Sequence, residues 1–167
     1  EFSSDWDNFS PKLGLNYEFA DELLGYVSWS NGFKSGGFGG RATPGNSEAP
    51  YDPEEIETWE IGLKSQFLDN RVRLNAAAFV SDYTDIQLLV LEVVDGTPQF
   101  NTRNAGASDI KGVELEAWAS PTNELDLYLN FGWLDNEYAS LAPGAAAQGI
   151  DLNDSLPNAP EWTWAVG

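Results

Sequence analysis

The stretch PEEIETWEIGLKSQFLDNRVRLNAAAFVSDYTDIQLLVL, residues 53–91, determines the fold of this chain. It predicts two long β-strands joined by a tight turn at residues 68–71, where Asp69 and Asn70 tolerate turn conformations. In the first arm the side chains alternate with a period of two, which is typical of a strand with one apolar and one polar face. One face carries Trp59, Ile61, Leu63, Ser65 and Phe67, and the other carries Thr58, Glu60, Gly62, Lys64 and Gln66.

The second arm repeats the pattern over residues 71–80. Val72, Leu74, Ala76, Ala78 and Val80 fall on one face, against Arg71, Arg73, Asn75, Ala77 and Phe79 on the other. Each arm is long for a soluble hairpin, and about 9–11 tilted residues suffice to cross a bilayer. An apolar outside with a polar inside is typical of the wall of a membrane β-barrel around a watery lumen.

Four stretches of the sequence resemble the barrel of the TonB-dependent outer-membrane receptors. PEEIETWEIGLKSQFLDNRVRLNAAAFVSDYTDIQ, residues 53–87, resembles the signature hairpin of that family. PKLGLNYEFADELLGYVSWSNGFKSGGF precedes it at residues 11–38, and NAGASDIKGVELEAWASP (104–121) and LPNAPEWTWAVG (156–167) follow it in the family's order. The family's plug domain, TonB box and last barrel strand have no counterpart in the sequence, so we expect a middle or later slice of the barrel.

The resemblance implies an all-β fold, a segment of an antiparallel up-and-down transmembrane barrel spanning residues 1–167 as one unit. We expect about eight strands, with long loops near residues 34–52, 84–106 and 136–157 that face outside. The resemblance also implies uptake of a scarce nutrient of the siderophore, cobalamin or glycan type across the outer membrane. The implied partners are outer-membrane lipid and the TonB complex, and no enzyme activity is implied.

Alternation predicts further strands at residues 12–19, 23–33, 109–119 and 125–133, and the start of another at 160–167. Asp95 and Gly96 give a strong hairpin signal between strands at 85–94 and 97–104. In Leu88, Leu89, Val90 and Leu91 the alternation is lost, which predicts that this piece is covered on both faces.

Composition excludes several classes of function. The net charge of −19 argues against nucleic-acid binding, which needs a basic surface to replace the counterions of phosphate. The chain has no Cys and no His, which excludes the usual zinc sites and the His-based nucleophilic triads. No stretch approaches 18 consecutive apolar residues, so no transmembrane helix is predicted.

Three groups of residues suggest a functional site, and for each group we favour a simpler structural interpretation. The glycine run SGGFGG at residues 35–40 lacks the spacing of a nucleotide-binding loop and predicts a surface loop. Asp151, Asn153 and Asp154 lack calcium-loop spacing and predict a solvated acidic loop. Asp82 and Asp85 are two carboxylates without a cleft or nucleophile, which predicts solvated strand ends. The sequence therefore assigns no catalytic, cofactor-binding or metal-binding residue.

Aromatic residues lie near the predicted strand ends, where a barrel places its rings at the boundary between membrane and water. We expect such a girdle to be formed by Tyr17, Phe19, Trp29, Trp59, Phe67, Tyr83, Trp133, Tyr138, Trp162 and Trp164.

Two alternatives follow from treating the chain as an isolated fragment. A slice of a barrel has two unpaired edges, so identical chains could stack in register as a cross-β filament, with QLLVLEVV and RLNAAAFV as zipper segments. Such a released fragment would be an extracellular homopolymer. A soluble carbohydrate-binding β-sandwich is a weaker alternative, because its strands should be shorter.

Overall fold

The computed structural model describes residues 3–39, 50–94, 96–146 and 148–167. Seven strands form one antiparallel sheet in which neighbouring strands follow each other along the chain. The sheet does not close on itself, so its first and its last strand each have a single neighbour within it. This arrangement, a meander, confirms the prediction of an antiparallel barrel segment.

The strands of the main sheet differ widely in length. The bounds are β1 Lys12–Ala20, β2 Leu23–Lys34, β5 Glu54–Phe67, β6 Val72–Val94, β7 Thr97–Thr122, β8 Leu125–Leu141 and β9 Trp162–Val166. Two short strands, β3 Gly37–Phe38 and β4 Pro50–Tyr51, pair with each other between β2 and β5, and one short helix, α1 Pro143–Ala146, follows β8.

The turn between β5 and β6 lies where the sequence predicts it. Leu68, Asp69 and Asn70 have φ angles of 54°, 54° and 67°, and the amide of Arg71 donates to the carbonyl of Leu68 at 3.1 Å. Asp and Asn adopt this left-handed region more readily than other non-glycine residues. The turn thus reverses the chain within four residues and aligns the two arms without a shift in register from Phe67–Val72 to Glu55–Thr84.

Apolar residues occupy one continuous face of the sheet, because the register aligns them strand by strand. One row runs across all seven strands and contains no polar side chain. Its members are Leu15, Val27, Ile61, Ala78, Val113, Trp133 and Trp162. Ile61 in the middle of this row is 63% exposed, so the face is not covered by any part of the described chain. We call it the apolar face.

The opposite face, here called the polar face, carries the other half of each alternation. One row runs from Glu18 through Leu24, Lys64, Asn75, Glu116 and Asn130 to Ala165. The faces of β2, which glycine and serine obscure in the sequence, are fixed by the pairing of Val27 with Ile61 and of Ser28 with Glu60.

Aromatic residues of the predicted girdle follow two different patterns. Trp29 and Trp59 stand side by side on the apolar face with their ring centroids 6.4 Å apart, as do Trp133 and Trp162 at 6.3 Å. Tyr83 and Tyr138 are exceptions, because they pair through Ser108 in a row that belongs to the polar face. The prediction that these two tyrosines join the girdle is wrong, since strand position alone does not decide which face a residue occupies.

The predicted long connections partly consist of strand. Residues 84–94 and 97–106 continue β6 and β7 as a hairpin that projects beyond the other strands, and residues 136–141 still belong to β8. Of the segment 34–52, residues 40–49 lie outside the described part of the chain. Among the described residues, no helix has both the length and the apolar character needed to cross a membrane.

Gly112 in β7 allows a close packing that a larger residue would disrupt. A Cβ atom added there would lie 2.5 Å from Cζ of Phe79 and 3.0 Å from the carbonyl oxygen of Trp133. We expect Gly112→Ala to lower the free energy of unfolding by about 1–3 kcal/mol, the usual cost of overpacking. Gly14→Ala on β1 is the control, because its nearest neighbours would lie 3.7 Å or more away. Urea unfolding of the complete protein measures both, and equal costs would contradict the packing described here.

Candidate functional site

The long connections all lie at one end of the sheet, which we call the loop end. It holds residues 35–39 and 50–53 between β2 and β5, the projecting hairpin of β6 and β7, and the described part of residues 142–161 between β8 and β9. The other end has only short turns, at residues 21–22, 68–71 and 123–124. A barrel built in this way presents its large connections on one side of a membrane, so the loop end is the natural place to search for a binding surface.

Glu54, the first residue of β5, is the most buried carboxylate among the described residues of the loop end, with 5% of its surface exposed. Three donors converge on it. The hydroxyl of Tyr83 donates to Oε1 at 2.6 Å, the ammonium of Lys34 to the same oxygen at 3.1 Å, and the backbone amide of Gln87 to Oε2 at 2.7 Å. A buried carboxylate is stable only when paired and hydrogen-bonded in this way.

These contacts shift the pKa values of Glu54 and Tyr83. Burial disfavours the charged form of Glu54, but the hydrogen bonds from Tyr83, Gln87 and Lys34 outweigh it and hold the pKa of the carboxyl below its ordinary value. Burial and the hydrogen bond to Glu54 raise the pKa of Tyr83. The carboxyl is thus ionised and the phenol protonated near neutral pH.

Side-chain amides beside Glu54 bind the stems of the neighbouring connection. Nε2 of Gln87 donates to the carbonyls of Ser35 and Asp52 at 3.0 and 3.1 Å. Asn104 accepts from the amide of Asp52 at 2.7 Å and donates to its carbonyl at 2.8 Å. The chain entering β5 is therefore attached to the base of the projecting hairpin.

One face of the projecting hairpin is covered. Val90 and Ala105 pack against Ala145 of the short helix α1, with Leu141 and Ile150 around them. Gln148 donates to the carbonyl of Leu89 at 2.7 Å and adds a polar contact to this small core.

The other face of the hairpin is not covered by the described residues. Leu89 is 51% exposed and Val93 is 70% exposed, with Phe100 exposed beside them. The expectation that residues 88–91 are covered on both faces is wrong, because residues 142–150 approach the hairpin from one side only. Exposed apolar patches of this kind are typical of binding surfaces.

Near its tip the hairpin carries a paired charge. Nε and Nη2 of Arg103 bind the two carboxylate oxygens of Glu92 at 3.1 and 3.0 Å, and Asn101 donates to the same carboxylate at 2.8 Å. The hydrogen bonds from Arg103 lower the pKa of Glu92 despite its partial burial. A two-point contact of this geometry fixes the relative orientation of the two strands.

Residues 142–161 are attached at their far end as well. The amide of Leu156 donates to Oδ1 of Asn136 in β8 at 2.5 Å, and the amide of Leu134 donates to the carbonyl of Glu161 at 2.8 Å. Burial and the nearby charge of Asp154 raise the pKa of Tyr138. All three connections of the loop end thus have defined contacts with the strands.

The polar face offers a second candidate surface. A trough of about 560 Å³ lies along it, lined by Tyr26, Lys64, Asn75, Glu114 and Glu116 among others. Asn75 donates to Glu116 at 3.0 Å, and the ammonium of Lys64 lies 5.5 Å from the ring centre of Tyr26. The charged side chains of the trough are Lys64, Glu114 and Glu116, and the charge on this side of the sheet suits the lumen of a barrel.

The residue groups weighed from the sequence do not assemble into a site. Asp151 and Asp154 bind their own loop, the amide of Asp151 donating to Oδ2 of Asp154 at 2.8 Å. The described residues contain no group of three or more Asp and Glu side chains placed to hold a metal ion. Asp82 points to the apolar side in the row of Glu57, whereas Asp85 occupies an irregular position with φ 53°. Of the glycine run, Gly36 lies against Trp6 and Tyr51.

Three comparisons with known proteins agree with this architecture. The family described as "TonB dependent receptor-like, beta-barrel" matches residues 1–167. The chain is 30% identical over 115 residues to the "Probable TonB-dependent siderophore receptor PiuA" of Acinetobacter baumannii, covering 66% of this chain and 14% of that protein. It is 28% identical to the "Probable TonB-dependent receptor BfrD" of Bordetella pertussis, covering 95% and 20%.

Among solved structures, the ferric yersiniabactin uptake receptor FyuA from Yersinia pestis superposes with a TM-score of 0.71 at 24% identity. The match covers 92% of this chain and 21% of that one. The similarity shows a shared fold, and the chain spans about a fifth or less of the length of these relatives.

The lowered pKa of Glu54 predicts a dependence of stability on pH. Its ionised form stabilises the fold above its unfolded pKa of about 4.5, and this contribution is lost as the pH falls through the lower folded pKa. We expect Glu54→Gln to destabilise the complete protein by roughly 1–3 kcal/mol at pH 7, since the donors around it lose a charged acceptor. This difference from the wild type should shrink towards zero as the pH falls below 4.5.

Urea unfolding at several pH values measures the effect. Glu55→Gln is the matched control, because Glu55 is adjacent but exposed and accepts a single side-chain hydrogen bond, from Asn8 at 3.0 Å. A Glu54→Gln difference that stays constant down to pH 3 would contradict the described role of the carboxylate.

Proposed function

This chain belongs to the TonB-dependent receptor β-barrel family, and on that premise we propose that it forms part of the wall of a receptor that imports a ferric siderophore. Proteins of the family are transport receptors of the bacterial outer membrane, so the apolar face lies in the outer-membrane lipid. The observation that carries the proposal is the family match over the whole chain. One of the similar proteins is named as a siderophore receptor and another as a ferric yersiniabactin uptake receptor, which is why this cargo class comes first.

In this proposal the loop end faces the outside of the cell and the projecting hairpin contributes to cargo capture. Support comes from its geometry. The hairpin extends beyond the other strands, is held by contacts on one face, and leaves Leu89, Val93 and Phe100 exposed on the other. The polar face lines the lumen through which cargo passes, and energy comes from the TonB complex.

The filament and the carbohydrate-binding sandwich remain without a supporting observation. The described strands of the main sheet pair antiparallel within one chain, whereas an in-register stack would pair each strand with its own copy. β6 and β7 have 23 and 26 residues, far longer than sandwich strands. We therefore propose neither.

Transport by whole cells tests the proposal. We expect cells that make the complete protein to accumulate iron from at least one radiolabelled ferric siderophore under iron limitation, and to lose this uptake when TonB is deleted. Removal of residues 88–103 should abolish uptake while the protein still inserts in the outer membrane, because the strands that cross the bilayer remain. The control replaces exposed Asp69 and Asn70 by Gly in the turn at the opposite end, which should leave uptake intact. Uptake that persists without TonB, or that no siderophore supports, would contradict the proposal.

A further inference from the structure

The base of the projecting hairpin contains a β-bulge that the sheet itself does not stabilise. The register between β6 and β7 shifts between Tyr83 and Ile86, and again between Ile86 and Gln87. Asp85 lies inside this irregularity with φ 53°, a conformation that few non-glycine residues adopt. Bulges leave backbone groups without ladder partners and redirect the strand that follows. Something outside the ladder must satisfy those groups.

Side chains from two neighbouring strands satisfy the bulge. Nδ2 of Asn104 donates to the carbonyl of Asp85 at 2.8 Å, and Oε2 of Glu54 accepts from the amide of Gln87 at 2.7 Å. Both side chains replace hydrogen bonds that a regular ladder would have made. The direction in which the hairpin leaves the sheet is therefore set by Asn104 and Glu54.

The same residues also bind the chain that enters β5. Asn104 makes a two-point contact with the amide and carbonyl of Asp52, and Gln87 reaches the carbonyls of both Asp52 and Ser35. Ser35 follows β2 and Asp52 precedes β5, so both stems of that connection are attached. Asp52 and Asn104 are 52 residues apart in the sequence, and so are Ser35 and Gln87.

We infer that Glu54, Gln87 and Asn104 form a clasp that couples the bulge of the projecting hairpin to both stems of the connection between β2 and β5. The clasp holds the two parts in one arrangement, so that neither loosens without the other. It thereby fixes the direction in which the exposed apolar face of the hairpin points. Its use in capturing cargo rests on the proposed function, but its existence does not.

The coupling has a physical cause in the shared acceptor. Gln87 and Asn104 both donate to the carbonyl of Asp52, and Asn104 binds the bulge and the stem at the same time. When the Asn104 amide is replaced, the carbonyls of Asp52 and Asp85 both lose this donor. A side chain that binds several partners removes more than one contact from the network when it is replaced.

Hydrogen exchange in the complete protein, inserted in lipid nanodiscs, tests the clasp. Asn104→Asp keeps the size of the side chain but replaces the donating amide by a carboxylate oxygen. We expect exchange to rise roughly tenfold, the factor that corresponds to about 1.4 kcal/mol, in peptides spanning residues 50–56 and 84–90 together. Asn101→Ala is the matched control, because Asn101 lies on the same strand but binds Glu92 near the tip. It should leave both peptides at the wild-type rate.

A second variant keeps the inference testable if Asn104→Asp does not fold. Gln87→Ala removes only the side-chain donor to Ser35 and Asp52. Because the clasp couples the two parts, this substitution should raise exchange in residues 50–56 and in residues 84–90. Combined with Asn104→Asp, it should give a rise smaller than the product of the two single rises, since the two residues share one acceptor. The clasp would be overturned by a rise confined to one of the two peptides or by an equal rise in Asn101→Ala. A rise in the double variant that equals the product of the two single rises would overturn it as well. Unchanged exchange in an Asn104→Asp protein that still imports iron would reject the clasp and leave the transport function intact.

Discussion

The register of the antiparallel ladder is the constraint on which the rest of the structure depends. Side chains alternate with a period of two, so a slip of one residue would move every apolar side chain of a strand to the other face. The pairs Val27–Ile61, Ile61–Ala78 and Ala78–Val113 place apolar side chains in one row across neighbouring strands. A face of this kind is stable in lipid and costly in water. Register and environment thus determine each other.

At the loop end the constraint changes, because the strands leave both the lipid and their neighbours. Backbone groups there need other partners, and long side chains from adjacent strands provide them. Glu54 is buried where β5 begins, and its three donors come from the end of β2 and from the irregular part of β6. A membrane protein whose centre is fixed by the ladder therefore depends on side-chain networks for the shape of its outer surface.

Alternation was sufficient to predict the centre of the sheet and its two faces, since each strand repeats the pattern of Trp59 to Phe67. The alternation also tells which face of the sheet a residue occupies, and the position of a residue near a strand end does not. Counting by two from Val80 and from Trp133 already places Tyr83 and Tyr138 on the polar face, where the structure has them. The clasp could not be predicted in this way. Glu54 is one of 27 acidic residues, and the amide of Gln87 reaches it from beyond the bulge at Asp85.

The central claim is that the apolar face contacts lipid while the polar face contacts water, and a nitroxide scan along β6 tests it most directly. The chain has no native cysteine, so single cysteines at positions 72–80 can each carry one spin label in the complete protein within a bilayer. We expect oxygen, which concentrates in lipid, to relax the labels at even positions most. A water-soluble nickel reagent should relax those at odd positions most. Equal relaxation at even and odd positions, or the inverted alternation, would contradict the claim that this sheet is the wall of a membrane barrel.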